Sequence, residues 1–597
     1  MNHGSGWMVS PAQRRSSLST RTWPGVHGTI ISVTPRRRCR PRRVGLAMLT
    51  LLFAVAACPS FADLPVGGND DAAEEKAAEA GRRIYLEGLL PSGQIISGTV
   101  RGDIALTGEQ AVCGTCHRRS GLGSMEGQEV VPAVTGDILY QPLRLPTSKP
   151  PLAPMQRPAY TDAALKRAIR DGIGADGQPL SAFMPRYPLS DEALDQLVAY
   201  LKTLNTHADP GVDEHQIHFA TIVADSVDPG TRQAVLDVFD AFITQKNAGT
   251  RHEGSRAESP PWHKQWVFGP YREWVLHVWE LNGPPASWPA QLQAQYDQQP
   301  VFAVVGGIAP GSWQPVHDFC ELNELPCLFP TTDLPVVDRQ DFYSIYLSRG
   351  MTLEADAIDQ HLADSNLLAG PVVQIYRPAD PRGATAAEAL RRQLERRGVH
   401  VTDLPIDEAS VPERGFWETL PETIDQGTAV LWLAPPDLAA LWRSDAREHL
   451  RRIYLSTTLY GTHPGPIPSA ARERVYFVHP SELPDRLPRM LARSTGWLKA
   501  KRSYAPDAQL AQANAFFALK ITGEALVNMR GFFVREYLLE RIESMVDRAT
   551  YTSAYPRISL APGQRFVSKG AYIARIPAGE ASRGGLSAVT GWVIPGS

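Results

Sequence analysis

Cys113-Gly114-Thr115-Cys116-His117 constrains this chain more than any other five residues. Two thiols three positions apart, with an imidazole directly behind them, must be presented together by whatever fold surrounds them. Three chemistries use such a set: a redox-active dithiol, half of a zinc site, or thioether attachment of a heme whose iron the histidine reaches from the same side. The compartment is the first discriminator.

The first 62 residues carry nine arginines and no acid, and end in the apolar run Val44–Ala57. A basic flank feeding an apolar core too short to span a bilayer reads as a secretory signal, so residues 1–62 are expected to be a targeting segment. Ser60 and Ala62 place small residues for cleavage after Ala62, giving a soluble periplasmic product. The alternative is a lipoprotein signal with Cys58 as the lipidated residue, which would tie the protein to a membrane. Loss of the arginines takes the net charge from −3 to −12. An acidic protein repels a phosphate backbone, which argues against nucleic acid as a partner. Of the six cysteines four then remain. Cys320 and Cys327 are expected to pair as a disulfide in an oxidising compartment, the alternative being two buried thiols.

Residues 63–204 carry a helical pattern. Ala77, Ala80, Gly81, Ile84, Tyr85 and Gly88 mark one helix with a small-residue notch at Gly81, suited to close crossing by another. Its expected partner follows Ser190 as N-cap, with Asp191 and Glu192 in the first turn and Leu194, Leu197, Val198, Leu201 and Leu204 on one face. Between them Thr161–Gly172 reads as a capped helix closed by a glycine. An exported thioredoxin-like pair would need a strand leading into the motif, and zinc would need two further ligands at finger spacing. Neither is in the sequence, so heme c attached through Cys113 and Cys116 is the expected reading, with the redox pair and zinc as the alternatives. His117 is the expected iron ligand. For the sixth position Met184 stands just ahead of the last helix, on a segment that Pro185 and Pro188 hold out of helix. Met125 and Met155 compete with it, and core packing is the alternative role for Met184. With these parts in this order, residues 73–204 resemble a class I cytochrome c domain. That resemblance implies a proline carbonyl bonded to the other ring nitrogen of His117, for which Pro132 is the candidate.

After the polar stretch 205–215, expected as a linker, apolar runs alternate with helical ones through 216–597: "IHFATIVA", "EWVLHVWEL", "PVFAVVGG", "LPCLFP", then "PVVQIYR", "VHVTDL", "TAVLWLAP", "RRIYLS" and "RVYFVHP". Such alternation predicts two α/β lobes with parallel, Rossmann-like sheets. A long helical stretch, 511–547, precedes a tail rich in Gly, Pro and strand. The run "PVFAVVGGIAPGSWQPVHDFCELNELPCLFPTTDLP" and the entry to the second lobe are similar to type I periplasmic solute-binding proteins of the branched-chain amino acid or amide kind. This implies a small solute held by hydroxyls at strand ends and helix starts: Ser312, Thr331 and Thr332 in the first lobe, Ser456, Thr457 and Tyr460 in the second. Ordinary caps and turns are the alternative for each. The tryptophans from Trp262 to Trp313 line either a cleft or a core.

No nucleophile elbow, phosphate loop or H-E-x-x-H occurs in this half, so it offers nothing to a hydrolase or kinase. The expectation is a multidomain chain, an all-α cytochrome c domain followed by a two-lobed α/β domain. It would transfer single electrons to or from a periplasmic redox partner without being an enzyme, and bind a small solute such as an amino acid or amide, or dock a partner. The alternative is a transport or signalling receptor in which the heme is secondary. Were the sixth iron position open, catalysis at the heme would become a third reading.

Overall fold

The computed structural model describes residues 68–126, 129–145, 155–250, 272–338, 341–407, 411–423, 426–462, 465, 467–529, 531–548, 553–561, 563–577 and 585–596. The expected targeting segment 1–62 with Cys58, and also Trp262 and Trp266, lie outside them.

In the N-terminal region helix α1 (Gly68–Glu87) crosses α5 (Asp191–Thr203), with α2 (Cys113–His117), α3 (Gly136–Leu139) and α4 (Asp162–Asp171) between them in sequence. The crossing is as close as Gly81 allows. A Cβ there would stand 2.0 Å from the Gln196 carbonyl oxygen and 2.8 Å from Tyr200 Cβ. The helix ends follow their caps: Thr161 Oγ1 accepts from Ala164 N and Ser190 Oγ from Ala193 N, while Gly172 closes α4 in the left-handed region. Ile84, Tyr85, Leu165, Ile169, Leu194, Leu197 and Leu201 fill the core between these helices.

The region is not purely helical. Three antiparallel hairpins interrupt it: β1 (Ser97–Val100) with β2 (Ile104–Thr107), β3 (Ser124–Glu126) with β4 (Glu129–Val131), and β5 (Leu143–Leu145) with β6 (Met155–Arg157). In the first, Arg101 and Gly102 both take positive φ, 51° and 87°, and turn the chain between two short alternating runs. The 205–215 segment is fastened along its length. Thr206 N donates to Asp137 (2.9 Å), Asp209 accepts from Arg535 N (2.6 Å), and Gly211 lies where a Cβ would meet the Val301–Phe302 peptide.

The first lobe's sheet has β7 (Gln216–Ala224), β8 (Glu273–Leu281), β9 (Ala303–Val305), β10 (Ile308–Ser312), β11 (Cys327–Leu328), β12 (Thr331–Leu334) and β13 (Ser344–Ile345). All pairings are parallel, in the order β12-β10-β7-β9-β11-β13 with β8 also against β7. The second lobe has β14 (Val372–Tyr376), β15 (Val401–Pro405), β16 (Thr428–Trp432), β17 (Arg452–Ser456) and β18 (Val475–His479) in parallel, order β15-β14-β16-β17-β18. β19 (Tyr572–Arg575) and β20 (Ser587–Ala588) then extend this sheet antiparallel, so the C-terminal tail completes the second lobe. The long helical stretch belongs to the first. It divides into Gln509–Met529 and Arg535–Met545, and Phe517, Ile521, Leu538 and Ile542 join the core of β7, β9 and β11. The first-lobe core thus takes residues from 217–347 and 498–567, the second from 351–483 and 571–586, and the chain crosses between lobes three times. Trp274, Trp279, Trp288 and Trp313 are all buried in the first core.

The expected Cys320–Cys327 disulfide is not formed in this structure. The two cysteines stand as fully buried free thiols, one on the helix Gln314–Leu322 and one on β11 behind it. Burial, and then the neighbouring Cys327 thiol, push Cys320 well above the usual thiol range.

Candidate functional site

Helix α2 consists of the motif itself. Val112 is its extended N-cap, and Arg118, at φ 67°, ends it immediately after His117. The Arg118 carbonyl accepts from the buried Tyr85 hydroxyl (2.8 Å), and Tyr85 packs on Tyr200 with ring centroids 5.3 Å apart. The α1–α5 crossing therefore fixes the point at which the motif stops. Beyond it the chain wraps back: Gly123 N donates to the His117 carbonyl (3.0 Å) and Ser124 Oγ to that of Cys116 (2.8 Å). A Cβ on Gly123 would lie 2.2 Å from the Val131 carbonyl oxygen, so glycine is what lets this loop approach the strand leading to Pro132. His117 Nδ1 stands 2.9 Å from the Pro132 carbonyl oxygen. A carbonyl only accepts, so Nδ1 carries the proton and the ring lone pair sits on Nε2.

This arrangement discriminates among the chemistries open to the motif. Cys113 and Cys116 are not joined as a disulfide. Desolvation pushes the Cys113 thiol up to about 12, against a hydrogen bond from Tyr187 that lowers it, which disfavours the thiolate that a redox dithiol uses. Among the described residues no three or more His, Cys, Asp or Glu side chains gather as a metal cage would require. Two thiols and a histidine of fixed tautomer on one short helix do fit a heme bound through thioethers, with Nε2 as the donor to iron.

Met184 lies on the segment 180–189, which runs past β1. Thr99 and Arg186 bridge in both directions (3.0 and 2.9 Å). The buried Tyr187 hydroxyl donates to the Ala111 carbonyl (2.8 Å), two residues ahead of Cys113. Hence the Met184 segment is fastened to the approach of the motif helix. Of the competing methionines, Met125 is 70% exposed on its hairpin. Met155 lies on β6.

One face of this region is covered by the first lobe. Ser120, three residues after His117, donates from its N (2.8 Å) and its Oγ (2.7 Å) to the two oxygens of Glu540 on the helix Arg535–Met545. Arg119 lies over the Phe342 ring, 4.5 Å from its centroid. Burial raises the Glu540 carboxyl to about 8, with Glu543 and Glu536 adding to it and Ser120 opposing.

Each of the six expected solute contacts has a partner within the protein. Ser312 Oγ accepts from Gln314 N at the start of its helix. Thr332 Oγ1 donates to the Gly311 carbonyl and accepts from Leu334 N, and Thr331 accepts from Asn514. In the second lobe Ser456, Thr457 and Tyr460 are 1%, 7% and 4% exposed. Ser456 caps the turn Thr457–Tyr460, Thr457 bonds the Val478 carbonyl and His479, and Tyr460 packs on Phe477 in the core. Hydroxyls at strand ends are here used by local backbone, which is their commonest partner. A groove of about 1230 Å³ is lined by Pro335, Arg349, Asp356, Arg396 and Phe566 among others, and by none of the six.

Besides the three chain crossings, an ion pair spans the lobes. Asp333, on first-lobe strand β12, pairs with Arg382 at the start of the second-lobe helix Pro381–Arg396 (3.5 Å), and Arg382 is held in turn by both oxygens of Asp380. Glu354, fully buried nearby, is raised to about 7 by burial, with Ser456 and Thr458 bonding it and Asp333 adding to the rise. None of Asp333, Arg382, Glu354, Tyr187, Ser120 and Glu540 was marked by sequence reading; only the acidic and basic letters around 333 and 382 offered a signal.

Residues 107–205 match the cytochrome c family model. No curated protein matches the chain. Among solved structures it is similar to a fatty acid ABC transporter substrate-binding protein from Thermomonospora curvata, at 16% identity over 65% of this chain and 95% of that one, TM-score 0.45. A leucine-binding protein from Thermotoga maritima is 14% identical over 64% and 99%, TM-score 0.43. A branched-chain amino acid ABC transporter protein from Thermus thermophilus with bound valine is 13% identical over 64% and 97%, TM-score 0.46. The segment 107–205 is thus a cytochrome c domain, and that family implies a covalently bound heme c.

Proposed function

We propose that the protein is an exported, periplasmic c-type cytochrome carrying one heme, attached through Cys113 and Cys116, with His117 and Met184 as axial ligands. Heme c, when bound, supplies a one-electron couple between ferric and ferrous iron. The chain's own part is positional: α2 presents the thiols, the Pro132 carbonyl orients His117, and the Tyr187 and Arg186 contacts hold the Met184 segment. The carrying observation is the 2.9 Å contact between His117 Nδ1 and Pro132 on the motif helix. Electrons would pass to or from a separate redox protein, since the two-lobed half carries no motif for oxidising an organic substrate. The test is optical. Ferric wild-type protein should show the weak long-wavelength band of a methionine-ligated heme, and Met184→Ala should lose it. A band unchanged in the variant removes Met184 from the iron.

A second reading has its own support: two sheets joined by three crossings, with the Asp333–Arg382 pair spanning them, make a module able to close on a small solute. In that reading the chain is a receptor for an amino acid or amide and the heme reports or modulates binding. Thermal-shift screening against amino acids and amides decides it, because a ligand specific for the folded form raises the midpoint by mass action.

A further inference from the structure

Arg186 lies two residues beyond Met184 and folds its side chain back over the segment it follows. Its guanidinium donates to the carbonyl of Met184, and also to those of Leu180 (3.2 Å) and Ser181 (3.3 Å). One planar fork therefore holds three carbonyls of a five-residue loop, a geometry open to arginine and closed to lysine, whose single ammonium has no fixed fork.

The fork itself is anchored. The Arg186 backbone is bridged to Thr99 on β1, and the next residue, Tyr187, donates its N to the Ile169 carbonyl (3.2 Å) and its hydroxyl to Ala111. Room for the side chain is made by Gly172 at the end of α4. A Cβ on Gly172 would fall 1.7 Å from Arg186 Nε and 1.9 Å from Cζ. The loop also contributes one bond of its own, Met184 N to the Ser181 carbonyl (3.1 Å). Pro185 has no N–H to add another.

We propose that Arg186 is a positioning residue for the sixth heme ligand: by clamping the carbonyls of Leu180, Ser181 and Met184 it holds the Met184 loop in one conformation and so sets how readily that ligand is displaced. This rests on Met184 being an iron ligand. Removing the fork leaves the loop's ends fixed at Thr99 and Ile169 but frees its middle, so the ligand should exchange more readily while the domain stays folded.

The test titrates ferric full-length holoprotein with imidazole and follows the long-wavelength band and the Soret band in wild type, Arg186→Lys and Met184→Ala. Arg186→Lys should bind imidazole about tenfold more tightly than wild type, as expected for loss of charge-assisted hydrogen bonds on the competing ligand's loop. Its heme content should be unchanged, and its urea unfolding should remain a single cooperative transition at a somewhat lower midpoint. Imidazole affinity within twofold of wild type in Arg186→Lys, with Met184→Ala tightened, overturns the clamp and leaves the ligand assignment standing. No change in either variant overturns the ligand assignment itself. A measurement on unaltered protein covers the case in which Arg186→Lys does not accumulate. In the diamagnetic ferrous state the Arg186 guanidinium should give separately resolved, slowly rotating Nη protons, and averaged signals overturn the clamp.

Discussion

At Gly81 a single missing methyl group sets the closest approach of two helices. Gly81→Ala would put a Cβ 2.0 Å from the Gln196 carbonyl oxygen, so α1 and α5 must part. We expect a loss of about 2 kcal/mol or more in urea unfolding followed at the Soret band. Tyr187→Phe removes the hydroxyl that satisfies the buried Ala111 carbonyl. The expected cost is about 1–3 kcal/mol in the same experiment. Gly81 was readable in advance because a small residue on an apolar helix face has few other meanings. Cys113, Cys116 and His117 were readable because the motif fixes their spacing. Arg186 was not, since its partners are carbonyls and every residue has one. Ser456, Thr457 and Tyr460 stay ambiguous in the letters for a related reason: a hydroxyl at a strand end reads the same whether it caps a turn or meets a solute.

Among the elements, the helix Arg535–Met545 has the widest consequences, because it joins the motif's neighbour Ser120 to the first-lobe core. Burial lifts Glu540 from an ordinary 4.5 to about 8, so the docked state favours the neutral acid. That preference contributes fully below about pH 4.5, declines as pH rises, and is lost above about pH 8. The thermal midpoint of the cytochrome c-like region should therefore fall between pH 5 and pH 9 in wild type, and Glu540→Gln should flatten the dependence. A variant profile as steep as wild type would place the titrating group elsewhere. Ser190→Ala, which strips the cap of α5, should cost about 1 kcal/mol. The strands and helices of both lobes follow from their apolar periods, which are local. Their assignment to lobes does not, because the return of 509–545 to the first lobe and of 572–588 to the second depends on long-range packing. The small hairpins were missed because three or four alternating residues leave no period to detect.

Across the whole molecule, a cytochrome c domain is fastened to one lobe of a two-lobed α/β module through Ser120–Glu540, Arg119–Phe342 and Asp209–Arg535. The other lobe is reached by three crossings and by the Asp333–Arg382 pair. In the receptor reading, closure would move the second lobe relative to the first lobe and the region fastened to it. Asp333→Asn should loosen the lobes, seen as faster hydrogen exchange at 350–356 and 380–386 while the Soret band is unaltered. The readouts at the Soret band presuppose a macrocycle bonded to the motif helix. The direct measurement is intact-mass analysis of mature protein from a host able to attach heme, beside a Cys113→Ala, Cys116→Ala variant. One heme added covalently to wild type, surviving acid denaturation and absent from the variant, is the predicted result. A wild-type chain at its bare polypeptide mass, or heme extracted by acid as from a non-covalent complex, would contradict it.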